Sequence, residues 1–350
     1  MPWDLGIAPS LVRSRERSRF RHFRSGVRSC LPAFRRALLR ALGLAIVPAL
    51  AAASGGPVPV ELEARAQVLQ GGAALRIPGW WFVAPVAAGE RAPAMLLLHG
   101  CGGVFDDRGR LASRYTEYAA WLNRRGVHVL VTDSLTPRGE RELCTQRIGT
   151  RSVTQAQRRG DVLDALQWLA AQPGVDGARI GLIGWSHGAS AVLAATNLNH
   201  GDIAAAASTP SLAVAYYPGC QTERARGYLP VAPLLLQLGA DDDWTPPAPC
   251  RALAAETATA IAAIAKASPA AAAGRVAAPE VIVHAGAVHG FDGTSPVRVR
   301  LDVPNGVAPG QGVRVGGDPE ARRASRAALD AFLRRHWGLG APPAAAPARP

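Results

Sequence analysis

The chain has 350 residues, enough for one large domain or two ordinary ones, and 48% of them are hydrophobic, ample for a sizeable core. Its formal charge of +13 would suit a nucleic-acid binder, but residues 1–51 hold ten arginines against Asp4 and Glu16, a local +8 that leaves +5 for everything after. With only Phe20, Phe23 and Phe34 among those arginines, the charge does not describe a nucleic-acid arm.

In chain order, the basic start from Arg13 to Arg40 runs into Ala41 to Ala51, an apolar stretch too short to cross a bilayer and ending in small residues. That layout predicts a secretory signal peptide over 1–53, with a basic tail leading into a short anchor helix as the alternative. The remainder is then exported, periplasmic or extracellular, without stable membrane insertion. Cysteine usage agrees. Cys30 would leave with the leader, and Cys101, Cys144, Cys220 and Cys250 form an even set compatible with one or two disulfides and unlike any zinc spacing. Cys220 and Cys250 follow consecutive predicted strands on one sheet edge and are the first pair expected.

Val58 to Gln70 and Leu75 to Val83 read as an antiparallel hairpin turning at Gly71-Gly72. Ala94 to Gly100 is a continuous apolar strand of the kind buried on both faces, stopping in Cys101-Gly102-Gly103. Leu111 to Arg125 has helical spacing, Val127 to Val131 is a strand, and Thr154 to Ala171 a helix. Ile180 to Gly184, Ala213 to Tyr217, Leu234 to Leu238 and Glu280 to His284 are further strands. Helices follow at Ser186 to Asn197, Pro246 to Ala267 and Ala321 to His336, the last with an apolar stripe at Ala324, Ala328, Leu329, Phe332 and Leu333. Ser268 to Ala278 and Gly293 to Gly317 read as loops without periodicity, and 339–350 as a disordered Pro/Ala tail. The alternation predicts a single α/β domain over 54–338, with a mostly parallel twisted sheet of about eight strands covered by helices on both faces.

Chemistry concentrates at Gly184-Trp185-Ser186-His187-Gly188, a Gly-x-Ser-x-Gly elbow in which a strand turns sharply into a helix and exposes the serine hydroxyl. A serine nucleophile needs a histidine base and a carboxylate to fix its tautomer, in the chain order Ser, acid, His. His289 stands in a glycine-rich loop after the last strand and is the candidate base. His284 reads as a strand-end histidine, and His200 and His336 as solvent-exposed. Among Asp241, Asp242 and Asp243, which follow the strand ending at Leu238, Asp242 is the candidate acid. Asp243 is the runner-up, more in keeping with a cap or loop organiser, and one of the three is expected to cap the helix near Pro246. Oxyanion donors are expected from the backbone N–H of His187 and of Cys101. A catalytic Cys101 thiol would need a base of its own. Arg138, Trp185 and Trp244 are candidates to touch substrate, although Arg138 could equally serve a structural ion pair with Asp133 or Asp106.

Through LLLHGCGG, VTDSLTPRG with the following Cys144, GLIGWSHGAS, AYYPGC, GADDDWTPPAPC and AGAVHGFD, the sequence resembles the dienelactone hydrolase family from about Pro78 to Trp337. The resemblance implies an α/β-hydrolase fold without a large cap domain, a triad of Ser186, Asp242 and His289, and hydrolysis of a small-molecule ester or lactone through an acyl-enzyme, with no metal or organic cofactor. The founding members are cytosolic and carry cysteine where this chain has Ser186, a difference that favours a carboxylesterase. Alternatives are a serine peptidase of the prolyl-oligopeptidase type, which normally needs an N-terminal propeller, and a non-catalytic binding protein.

Overall fold

The computed structural model describes residues 56–68, 74–268, 270 and 276–340. The predicted leader, the Gly71-Gly72 turn, most of the loop after Ser268 and the tail beyond Gly340 lie outside the described residues.

Strands β1 (Val58–Val68) and β2 (Ala74–Phe82) pair antiparallel. Next come β3 (Ala92–Leu98), β4 (His128–Thr132), β5 (Val175–Trp185), β6 (Leu212–Tyr216), β7 (Leu234–Gly239) and β8 (Glu280–His284). The sheet runs in the order β1-β2-β4-β3-β5-β6-β7-β8, antiparallel as far as β4 and parallel from there on. The helices are α1 (Ser113–Asn123), α2 (Gln155–Ala170), α3 (His187–Thr196), α4 (Gly201–Ala204), α5 (Gln221–Arg226), α6 (Pro247–Ala267) and α7 (Pro319–Trp337).

The apolar run of β3 works as such runs do in parallel sheets: successive side chains feed opposite cores. Leu96 and Leu98 pack with Val162, Leu166 and Leu169 of α2, Val192 of α3 and Leu253 of α6. Met95 and Leu97 pack with Tyr118 and Leu122 of α1 and with Leu329, Phe332 and Leu333 of α7. The fold is thus the α/β-hydrolase sandwich, helices on both faces of a mostly parallel sheet. The buried stripe of α7 differs from the predicted one. Ala321, Ser325 and Trp337 belong to it, whereas Ala324 is exposed, because Ala321, Ser325, Leu329, Phe332 and Leu333 recur at three- and four-residue spacing on one face and Ala324 falls off it.

From β3 the chain passes to β4 on one side, then crosses back to β5 on the other. The carboxyl ends of β3 and β5 therefore flank a crevice at the point where the winding reverses, the usual place for a site in such sheets. The segment expected to be irregular is also ordered. β9 (Arg298–Arg300) and β10 (Val313–Val315) form a small antiparallel hairpin, and its second strand bridges to His289, with Gly316 N–H donating to the His289 carbonyl at 2.9 Å.

Candidate active site

Ser186 sits between β5 and α3 with φ 52° and ψ −117°, a left-handed conformation that L residues adopt only when their surroundings impose it. The flanking glycines impose it. A Cβ on Gly184 would lie 2.4 Å from the Gly188 carbonyl oxygen, and one on Gly188 would lie 2.2 Å from that of Leu98, so the elbow fits only with hydrogen at both positions.

Three side chains from three strand ends converge here. Ser186 Oγ is 3.0 Å from His289 Nε2, and His289 Nδ1 is 2.8 Å from Asp242 Oδ2. The carboxylate accepts the Nδ1 proton, which leaves the Nε2 lone pair to accept from the serine hydroxyl. Asp242 Oδ1 accepts the N–H groups of Trp244 and Thr245 at 2.9 and 2.8 Å. Burial pushes the Asp242 carboxyl up, but its pairing with His289 and these hydrogen bonds outweigh it and hold the group below the usual carboxylate range. Thr245 Oγ1 stands 3.0 Å from Asp242 Oδ2, 3.0 Å from the Tyr217 carbonyl oxygen and 3.1 Å from His289 Nδ1, linking the turn to the imidazole. Tyr217 and Trp244 both lie 4.6 Å, centroid to centroid, from the His289 ring.

Adjacent Asp243 faces the other way. Its carboxylate receives the backbone N–H and Nε of Arg314, both at 2.8 Å, and so ties β10 to the loop after β7. No aspartate caps α6; its N-cap is Pro246, and Asp242 instead closes the tight turn before it.

The N–H groups of Cys101 and His187 have no acceptor among the described residues. His187 is the first residue of α3, where the helix leaves its N–H groups unpaired. Cys101 is bonded to Cys144, and its carbonyl accepts the Leu143 N–H at 2.7 Å, so its side chain braces the loop. The other disulfide is the expected Cys220–Cys250. His99 fixes the same loop: Nδ1 donates to the Gly100 carbonyl (2.7 Å) while Nε2 accepts the Ser134 N–H (3.1 Å). Burial, and next the charge of Arg158, hold its pKa well below the ordinary value, so the ring is neutral.

Trp244 lines the cleft over Ser186; Trp185 reaches it only at one edge, being buried beneath the elbow with Nε1 donating to Asp292 at 2.8 Å. Arg138 takes the structural role, with a partner other than the two expected. It forks onto Asp161 at 2.7 and 2.9 Å and bonds the Ser134 carbonyl, while Asp133 serves the Leu135 and Thr136 amides and Asp106 holds Arg110. It is not among the cleft-lining residues. His284 is the expected strand-end histidine, 2.8 Å from Gln237 Oε1. His336 is exposed as expected, but His200 is buried against the Glu223 carboxylate, which folds back from α5 to meet it at 3.0 Å.

The cleft's charge was not among the sequence expectations. Arg114, Arg298 and Arg300 line a cleft of about 290 Å³, and no carboxylate does so among the described residues. Arg114 is tied to the buried Asp292 and Arg300 to Asp302, whereas Arg298 makes no ion pair among the described residues and only its longer-range charge reaches Asp302. The alternation Val297-Arg298-Val299-Arg300-Leu301 is a strand signal that would have exposed the hairpin.

The sequence model of the dienelactone hydrolase family matches residues 81–305. Solved structures of similar fold include Thermogutta terrifontis esterase 2 with propionate bound, 16% identical, covering 83% of this chain and 97% of that one at a TM-score of 0.53. The same esterase phosphorylated by paraoxon is 15% identical, covering 82% and 97% at 0.53. A dienelactone hydrolase-like promiscuous phosphotriesterase from metagenomic libraries is 18% identical, covering 82% and 100% at 0.51. At such identities the likeness is one of fold. No curated protein matches the chain in sequence.

Proposed function

This chain belongs to the dienelactone hydrolase family, and on that premise we propose that it is an exported serine hydrolase that cleaves carboxylic esters or lactones through an acyl-enzyme on Ser186. The observation that carries the reading is the continuous relay from Ser186 Oγ through His289 to Asp242, at 3.0 and 2.8 Å. His289 Nε2 takes the hydroxyl proton as Oγ attacks the acyl carbon, and the Asp242 carboxylate stabilises the imidazolium that forms. Charge on the substrate oxygen is received by the Cys101 and His187 N–H groups. Collapse breaks the acyl–oxygen bond, His289 protonates the departing alkoxide, and water repeats the sequence to free the acid. The cationic cleft favours esters that carry an acidic group.

Export is supported by the basic and apolar leader pattern of the sequence and by two disulfides, which persist in oxidising compartments. No helix of the described residues is long and apolar enough to cross a membrane.

The test incubates purified protein with a fluorophosphonate probe, short and long p-nitrophenyl esters and a peptide p-nitroanilide. Ester turnover together with labelling that Ser186→Ala abolishes is the expected result. Turnover of the anilide alone would move the assignment to a peptidase, and an unlabelled wild type would overturn both.

A further inference from the structure

α2 starts where it does because Thr154 and Gln157 form a reciprocal capping box. Two side chains of its opening turns, Gln155 and Arg158, are three residues apart and so share a face, and both close on His187. Gln155 Nε2 donates to the His187 carbonyl oxygen and Arg158 Nη1 to His187 Nδ1, each at 3.1 Å. A guanidinium only donates, so Nδ1 is the acceptor and the imidazole proton sits on Nε2. Burial, and next the charge of Arg158, keep the ring's pKa well below the ordinary value, so His187 is neutral and not a second base.

Arg158 itself is 1% exposed. Buried cations are ordinarily paired, yet among the described residues Arg158 has no ion pair, and its Nε and Nη2 have no hydrogen-bond partner. Asp161 and Asp133 attract it from farther off, but the first is engaged by Arg138 and the second by the Leu135 and Thr136 amides. An incompletely compensated positive charge therefore stands directly behind the residue that follows the nucleophile.

We propose that Arg158 is a positioning residue for the oxyanion site: with Gln155 it fixes the ring and peptide of His187, and its charge stabilises the negative charge that appears on the substrate oxygen only in the transition state. The proposal rests on the serine-hydrolase reading above. In a water-poor site a fixed charge acts strongly on nearby developing charge. Because ground-state substrate carries no such charge, the effect belongs to kcat and not to KM.

Arg158→Met keeps the side-chain length and removes charge and donor. With p-nitrophenyl acetate, kcat should fall about a hundredfold while KM stays within about twofold, and Arg158→Lys should recover part of the loss. Affinity for a trifluoromethyl ketone, which mimics the tetrahedral adduct, should fall by the same factor as kcat/KM, and the acid limb of the pH profile should stay where it is. A folded Arg158→Met with wild-type kcat, or a loss expressed in KM alone, would overturn the proposal. Should that variant fail to fold, Gln155→Leu removes only the donor to the His187 carbonyl; kcat several times lower at constant KM is expected, and an unchanged kcat overturns the clamp. A wild type that resists the fluorophosphonate probe would instead sink the serine reading itself, and this inference with it.

Discussion

Asp292→Asn should lower stability by about 3–5 kcal/mol at pH 7, although Asp292 lies outside the relay. Its side chain is fully buried and each oxygen accepts two donors. Oδ1 receives Arg114 Nη1 and the Tyr217 hydroxyl (2.6 Å), and Oδ2 receives the Tyr118 hydroxyl (2.9 Å) and Trp185 Nε1 (2.8 Å). An asparagine offers one oxygen and one NH₂, so one pair of donors faces another donor; Tyr118 could turn to accept, Trp185 could not. Hydrogen bonds to a charged acceptor contribute about 1.5–3 kcal/mol each, so losing two would cost about 3–6 kcal/mol, and the lower part of that span is favoured because Tyr118 can turn to accept and Arg114 is 27% exposed. Burial raises the Asp292 carboxyl, but Arg114 and the Tyr217 and Tyr118 hydroxyls outweigh it and depress its folded-state pKa. A depressed carboxylate contributes stability above its unfolded pKa of about 3.9 and loses it as pH falls through the folded value. Urea unfolding of both proteins at neutral and acidic pH is the assay, and the gap between the two should narrow below about pH 4. A gap under about 1 kcal/mol at pH 7, or one that is as large in acid, would mean that Asp292 is not held as a hydrogen-bonded buried anion. Because Tyr217 packs on His289 and Trp185 lies under Ser186, kcat should fall as well.

Asp242→Asn keeps the shape of the acid but presents the wrong partner to His289 Nδ1, so kcat should fall about 10³–10⁴-fold with KM little changed; a tenfold loss or less would point to another acid. The disulfides close segments of 43 and 30 residues, for which chain entropy gives roughly 4 kcal/mol each. Calorimetry of Cys220→Ser should show that loss without a kcat effect, whereas Cys144→Ser should lose both stability and kcat because its partner Cys101 carries a proposed oxyanion donor. If the cationic cleft selects acidic esters, Arg298→Ala should reduce kcat/KM for a carboxylate-bearing ester more than for its neutral methyl counterpart, and added salt should mimic the substitution. Equal losses for the two esters would remove Arg298 from substrate recognition.

The sequence made legible whatever is written in consecutive residues. The apolar run Ala94 to Leu98 demanded a doubly covered parallel strand, and the two elbow glycines demanded a close approach that the backbone of Leu98 and Gly188 supplies. His289 was readable because its glycine-rich loop follows the last strand. Hidden were contacts between distant segments: Arg138 meets Asp161, Glu223 meets His200, and Arg114 meets Asp292 across 178 positions. Asp242 and Asp243 are chemically equivalent neighbours, so only the fold separates them, one toward His289 and the other toward Arg314. The β9–β10 hairpin announced itself only in the alternation Val297 to Leu301, because its second strand, Val313–Val315, sits among glycines and is too short to establish a period.

Everything proposed for this cleft turns on Ser186 carrying the acyl group. Intact-mass and peptide-mapping measurement on protein quenched during turnover of a slowly deacylating p-nitrophenyl ester tests it most directly. One added acyl mass is expected, located on the peptide containing Ser186 and absent from Ser186→Ala; an adduct on any other residue, or turnover that persists in the alanine variant, would move the nucleophile elsewhere.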